Sequence, residues 1–69
     1  MNKDIIQGNW KEVKGKLKQQ WGNLTDDEIA KMNGTRQELQ GLLQKKYGYQ
    51  KDKVEEEIDN FLKKNNWSE

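Results

Sequence analysis

Four closely spaced lysines, Lys11, Lys14, Lys16 and Lys18, are the residues of this sequence best suited to chemistry with a partner. At about 100° per residue, Lys11, Lys14, Gly15 and Lys18 fall along one flank of a helix. A bare glycine backbone among cations lets a phosphate chain or another acidic surface approach closely. Residues 1–23 carry five lysines against Asp4 and Glu12, a local excess of three positive charges. The rest of the chain cancels most of it, since 13 basic residues face 12 acidic ones and the net charge is +1. The strip also lacks arginine, and lysines on an exposed helix face most often serve solvation. The ordinary role of the strip is therefore solvation, and its functional alternative is a partner or phosphate-contact surface, with nucleic acid the less favoured partner.

Other chemistries lack their residues. There is no Cys and no His, which removes thiolate sites, disulfides and the commonest general base near neutral pH. The acidic cluster Asp26, Asp27 and Glu28 lacks the alternating ligands and central glycine of a calcium loop. At a helix start those carboxylates have a sufficient role opposite the positive dipole end. The run Glu55, Glu56, Glu57 and Asp59 opens a later helix in the same way. Glu55 and Asp59 are like charges four apart, so screening by solvent is expected between them. The single serine, Ser68, has no base near it in sequence. No catalytic residue, metal ligand or cofactor site is expected.

The elements that would position the lysines follow from a repeat. Shifted by 26 residues, Gly8 falls on Gly34, Glu12 on Glu38, Gly15 on Gly41, Leu17 on Leu43, Gly22 on Gly48 and Asp26 on Asp52. Val13 falls on Leu39 and Trp21 on Tyr47. This spacing predicts two copies of one helix-turn-helix unit, an approximate internal duplication. Trp10, Val13, Leu17 and Trp21 form one apolar stripe, and Leu39, Leu42, Leu43 and Tyr47 another. Gly22 and Gly48 follow those stripes where a left-handed stop is wanted. Thr25 and Glu28 form a capping box. Asp52 is expected to cap the last helix, whose stripe is Val54, Ile58, Phe61 and Leu62 and which frays near Asn65 and Asn66.

The expectation is an all-α fold of four short helices in a single domain spanning 1–69. They run over about 9–21 with 26–32, forming a first hairpin of about 9–32, and about 35–46 with 52–65, forming a second of about 35–65. The hairpins pack face to face because neither buries its stripe alone. Residues 1–8 and 66–69 are expected to be loose, the former either an arm or an extra turn docking Ile5 and Ile6. Trp10, Trp21 and Tyr47 belong to the core by their spacing. Trp67 is read as a peripheral cover of the core, the alternative being an exposed partner contact. Gly15 and Gly41 sit opposite their stripes, either where another backbone crosses or as points of helical weakness.

Composition bounds the rest. Thirty per cent of residues are hydrophobic and 36% charged, yet the near-zero net charge and six aromatic residues do not suit a disordered chain. No apolar run exceeds two residues, so membrane insertion is not expected. Met1-Asn2-Lys3-Asp4 carries no secretion signal, and a cytoplasmic monomer is the expectation.

Gly8-Asn9-Trp10-Lys11, Lys14-Gly15-Lys16, Lys18, Trp21-Gly22 and Leu24-Thr25-Asp26-Asp27 together resemble the CsbD-like family of small bacterial stress-response proteins. The second half agrees through Gly34, Arg36, Leu39, Gly41 and Tyr47-Gly48-Tyr49-Gln50-Lys51-Asp52. Leu42 departs from the pattern, which commonly has Lys there; the change gives the third helix more apolar surface. The resemblance implies a cytoplasmic protein tied to general stress, with no established biochemical activity and no catalytic or ligand residues to carry over. It also implies an array of two crossed helical hairpins similar to SAM-like domains. That analogy favours interaction, oligomerisation or nucleic-acid binding only at the level of fold.

Overall fold

The structure is a computed structural model that describes residues 5–67. Among them it is all-helical, with α1 (Ile5–Gly8), α2 (Trp10–Gln20), α3 (Asp26–Lys31), α4 (Arg36–Tyr47) and α5 (Lys51–Lys64). That is one helix more than the stripes suggested. The extra element is α1, a turn over residues 5–8 that docks Ile6. Ile6 is buried, and Asn9 ends the turn by donating from both its backbone N–H and its side-chain Nδ2 to the Ile5 carbonyl, at 3.1 and 2.9 Å. A single turn shows no periodicity in a sequence; its place is set by burying one isoleucine. α1 packs on both α2 and α4, α2 on α3, and α4 along α5.

The apolar stripes meet in one core. Val13 and Leu17 from α2, Leu39 and Leu43 from α4, and Val54 and Ile58 from α5 are wholly inaccessible to solvent. Trp21 and Phe61 join the two ends of the core with ring centroids 4.9 Å apart. Full burial of such side chains contributes about 1.5–3 kcal/mol each, which is what makes short helices stable here. Tyr47 lies at the margin instead of inside, stacked on Tyr49 at 5.2 Å. Its hydroxyl accepts from the Asn23 N–H at 3.1 Å and ties α4 to the loop after α2.

Helix starts follow side-chain chemistry at two places. The Thr25 box forms: Glu28 N–H donates to Thr25 Oγ1 at 3.1 Å, and Thr25 N–H to Glu28 Oε1 at 3.0 Å. A second box, at Thr35 and Glu38, opens α4, and Glu38 Oε1 also accepts from the Asn33 N–H at 2.9 Å. Its signature, Thr35-Arg36-Gln37-Glu38, stands in the sequence as plainly as the first. Asp52 caps nothing, because α5 starts earlier, after Gln50, and Asp52 falls within its first turn.

The stops also differ from expectation. Gly48 is left-handed with φ 68°, but α2 stops at Trp21 in extended conformation and Gly22 has no positive φ. The other left-handed glycine is Gly34, φ 93°, where a Cβ would lie 2.7 Å from the Trp10 ring. Only glycine meets both demands there. α5 does not fray. Trp67 N–H donates to the Leu62 carbonyl at 2.8 Å and Asn66 N–H to the Lys63 carbonyl at 3.2 Å, with Asn66 left-handed at φ 63°. This is a Schellman stop, and its hydrophobic clasp is Trp67 edge-on to Phe61 at 5.6 Å. Asn66 and Trp67 therefore close the helix, and Trp67 is the half-buried core cover. Residues 1–4, 68 and 69, Ser68 among them, lie outside the described residues.

Candidate contact surface

α2 holds its place by Val13 and Leu17, which turn the remaining positions outward. Lys11, Lys14, Gly15, Lys16 and Lys18 are all exposed. The structure divides the four lysines. Lys11, Lys14 and Lys18 keep one flank, and Lys18 Nζ reaches Asp26 Oδ1 at 3.1 Å. With side chains 55% and 83% exposed, that pair contributes little, on the order of 0–1 kcal/mol. Lys16 turns the other way, into a shallow cleft of about 120 Å³ shared with Gln19, Gln20, Phe61, Lys64 and Asn65. Lys11, Lys14 and Lys16 have no acid partner among the described residues. Glu12, the one acid within this run, accepts from Trp67 Nε1 at 3.3 Å.

Gly15 and Gly41 are exposed, and a Cβ on either would meet nothing within 4 Å. No other backbone crosses them, so of their two accounts the crossing is removed.

The groups whose titration is displaced serve the fold. Glu28 is held below the usual carboxylate range by the Thr25 backbone N–H first and by Lys46 next, whose Nζ lies at 3.1 Å. Glu38 is held low in the same way, chiefly by the Thr35 N–H and then that of Asn33. Burial acts to lower the pKa of Arg36, but its hydrogen bonds to Asp59 and Glu55 outweigh that and leave it raised. One Arg36 nitrogen, Nη2, lies 2.7 Å from Asp59 and 2.8 Å from Glu55, and Gln40 donates to the other Glu55 oxygen at 2.8 Å. Expected screening by solvent is thus replaced by a guanidinium between the two acids. No sequence spacing pairs Arg36 with a residue nineteen positions on. Among the described residues no group of three or more acids could hold a metal ion, and no helix is long and apolar enough to cross a membrane.

An open groove of about 500 Å³ lies between α3 and α4. Met32, Gly41 and Leu42 line it beside Lys31, Gln37 and Lys45, with Glu28 and Glu38 on its walls. Leu42 was its one signal, an apolar residue outside the repeat's shared positions.

Fold and surface define a small all-helical domain whose displaced charges are committed to helix caps and interhelical pairs. A family model for CsbD-like proteins matches residues 4–56. The UPF0337 protein YjbJ of Escherichia coli O6:H1 is 51% identical over 67 residues, 97% of each chain. The protein of the same name from Salmonella typhimurium is also 51% identical, over 97% of this chain and 96% of its own. UPF0337 protein pc0632 of Protochlamydia amoebophila is 47% identical over 93% of this chain and 97% of its own. The chain belongs to the CsbD-like family, on its YjbJ branch.

Proposed function

We propose that the chain is a non-enzymatic general stress-response protein that acts in the cytoplasm, as a monomer, through weak contacts with other proteins. The stress association comes with the family. The observation that carries a contact role is the outward face of α2, where Lys11, Lys14 and Lys16 surround exposed Gly15 with no acid partner among the described residues. Cations without a structural role are free for an acidic surface, whereas Glu28, Arg36 and Glu38 are engaged in holding the fold. Affinity capture from stressed cells tests this, comparing the chain with a Lys11→Glu/Lys14→Glu variant. Partners lost with the variant support the α2 face; an unchanged set overturns it.

The same lysines favour nucleic acid as the second reading. Titration of labelled duplex and single strands at low and physiological salt decides it. Affinity that falls steeply with salt and disappears in Lys14→Glu/Lys18→Glu supports that reading, and no binding at low salt removes it. A sedimentation coefficient that rises with concentration would replace the monomer by a self-associating module.

We also read α2–α3 and α4–α5 as two copies of one helical hairpin that pack across each other, with α1 added before the first. Helix starts support this, since Trp10 and Arg36 differ by 26 positions and Asp26 and Lys51 by 25. So do the buried equivalents Val13 and Leu39, and Leu17 and Leu43.

A further inference from the structure

The turn between α3 and α4 carries a reactive pair. Asn33-Gly34 is the one place in the chain where asparagine precedes glycine. A backbone nitrogen can attack the side-chain carbonyl carbon of the residue before it and close a five-membered imide. Glycine obstructs that attack least, because it has no Cβ. At this pair the bond from Gly34 N to Asn33 Cγ forms, the Cγ–Nδ2 bond breaks, and the Gly34 amide proton leaves with Nδ2 as ammonia. Water then opens the imide at either carbonyl carbon, giving aspartate or its β-linked isomer. Water is the only co-reactant.

The structure leaves one half of the pair free and restrains the other. Asn33 is exposed, and its carboxamide has no hydrogen-bond partner among the described residues. Gly34 is buried and left-handed at φ 93°, with so little room that a Cβ would lie 2.7 Å from the Trp10 ring. The Glu38 carboxylate accepts from the Asn33 N–H at 2.9 Å and the Thr35 N–H at 3.1 Å, and the intervening Gly34 N–H also acts on it. Closing the imide removes that N–H, and a neighbouring carboxylate opposes the loss of its proton. Closure also fixes the backbone torsion between Asn33 and Gly34 while Trp10 holds the glycine in place. The start of α4 must therefore lift from Glu38 and Trp10 before the reaction can proceed.

We propose that Asn33 is a site of spontaneous deamidation gated by the Thr35–Glu38 cap, a covalent mark left on chains whose α3–α4 turn has opened. The mark also holds the turn open. A new carboxylate stands beside Glu38, taking the net charge from +1 to zero, and the two like charges face the same backbone amides. The β-linked product adds a backbone atom next to a glycine that has no slack against Trp10. The proposal is independent of any partner on the α2 face.

Incubation of the full chain in mildly alkaline buffer, followed by peptide mass spectrometry over time, tests it. Asn33 should convert ahead of Asn9, Asn23, Asn60, Asn65 and Asn66, slowly in the folded chain and fastest in urea. Thr35→Ala and Glu38→Gln should each speed conversion about fivefold, the factor by which losing a cap raises the open population. Gly15→Ala stabilises a distant helix and should leave the rate unchanged. The converted fraction, separated by ion exchange, should melt below the fresh protein, whereas Asn33→Gln should keep its melting temperature through the same incubation. Absence of conversion at Asn33, or equal rates in the folded chain and in urea, overturns the proposal. So do cap variants that convert no faster than the parent, or a converted fraction that melts with it. A rate that falls in Gly15→Ala as stability rises assigns the gate to global unfolding and overturns the local one.

Discussion

The α2–α3 half and the α4–α5 half share one spacing of glycines, acids and apolar residues, yet they are held by different means. α4 opens with a capping box and closes on a left-handed glycine, and Arg36 with Gln40 fastens it to α5 through Glu55 and Asp59. α2 opens at Asn9 with no side-chain cap, and its exposed Lys18–Asp26 pair is its charged tie to α3. Much of what restrains the first half comes from elsewhere: α1 wedged between α2 and α4, Trp67 on Glu12, and Lys46 on Glu28. A repeated apolar pattern thus specifies where helices lie, while polar residues between the stripes decide how firmly each is fastened. The less fastened half also carries the close-set lysines around Gly15.

Phe61 is where the comparison is most exposed to failure, because its ring, on α5, meets both Trp21 at the end of α2 and Trp67, whose indole also reaches Glu12 of α2. Phe61→Ala should cost about 3–5 kcal/mol and unfold the whole chain, seen as loss of helical circular dichroism. A variant that lost only part of its helix would mean that the halves fold separately. At the next level, Thr35→Ala should cost about 1 kcal/mol in urea unfolding through the loss of a cap. Arg36→Gln should add a comparable loss, of order 1 kcal/mol, while Lys18→Gln stays below about 0.5. Equal effects of Arg36 and Lys18 would erase the distinction between the halves.

Acid sharpens the same contrast. Glu28 and Glu38 have pKa values depressed by folding, so their contribution is present above the unfolded value, about 4.3, and is lost as pH falls through the folded one. Glu38→Gln should flatten the acid limb of stability measured against pH, and an unchanged limb would contradict the cap. A gain is expected at two positions: Gly15→Ala and Gly41→Ala should each stabilise by up to about 1 kcal/mol, since both positions are helical and open. A loss at either would reveal a contact that the chain itself does not show.

One polar atom resists this account. Trp21 Nε1 is buried without a hydrogen-bond partner, and nothing in the structure explains why an indole is kept there.

Much of the architecture was legible because it depends on neighbours in sequence. The stripes at three and four residues marked α2, α4 and α5, and Thr25 with Glu28 marked the start of α3. Thr35 with Glu38 carries the same signal for the start of α4. Gly22 misled because its repeat partner Gly48 is left-handed, whereas α2 closes on Trp21 in extended conformation. The candidate lysines were legible as exposed positions. Their division, with Lys16 turned toward Lys64, was not, because helical phase places a residue on its own helix and leaves the neighbour unnamed.

The sequence by itself determined the helical class, the buried stripes and the outward lysines, since these follow from periodicity and from caps that span three or four residues. Tertiary structure alone decided that Arg36 would neutralise Glu55 and Asp59, that Gly34 would lie against Trp10, and that Met32 and Leu42 would meet in one groove. Each joins residues from different helices, and such pairings depend on how helices cross. Crossing is set by the packing of the whole core, which no local spacing records.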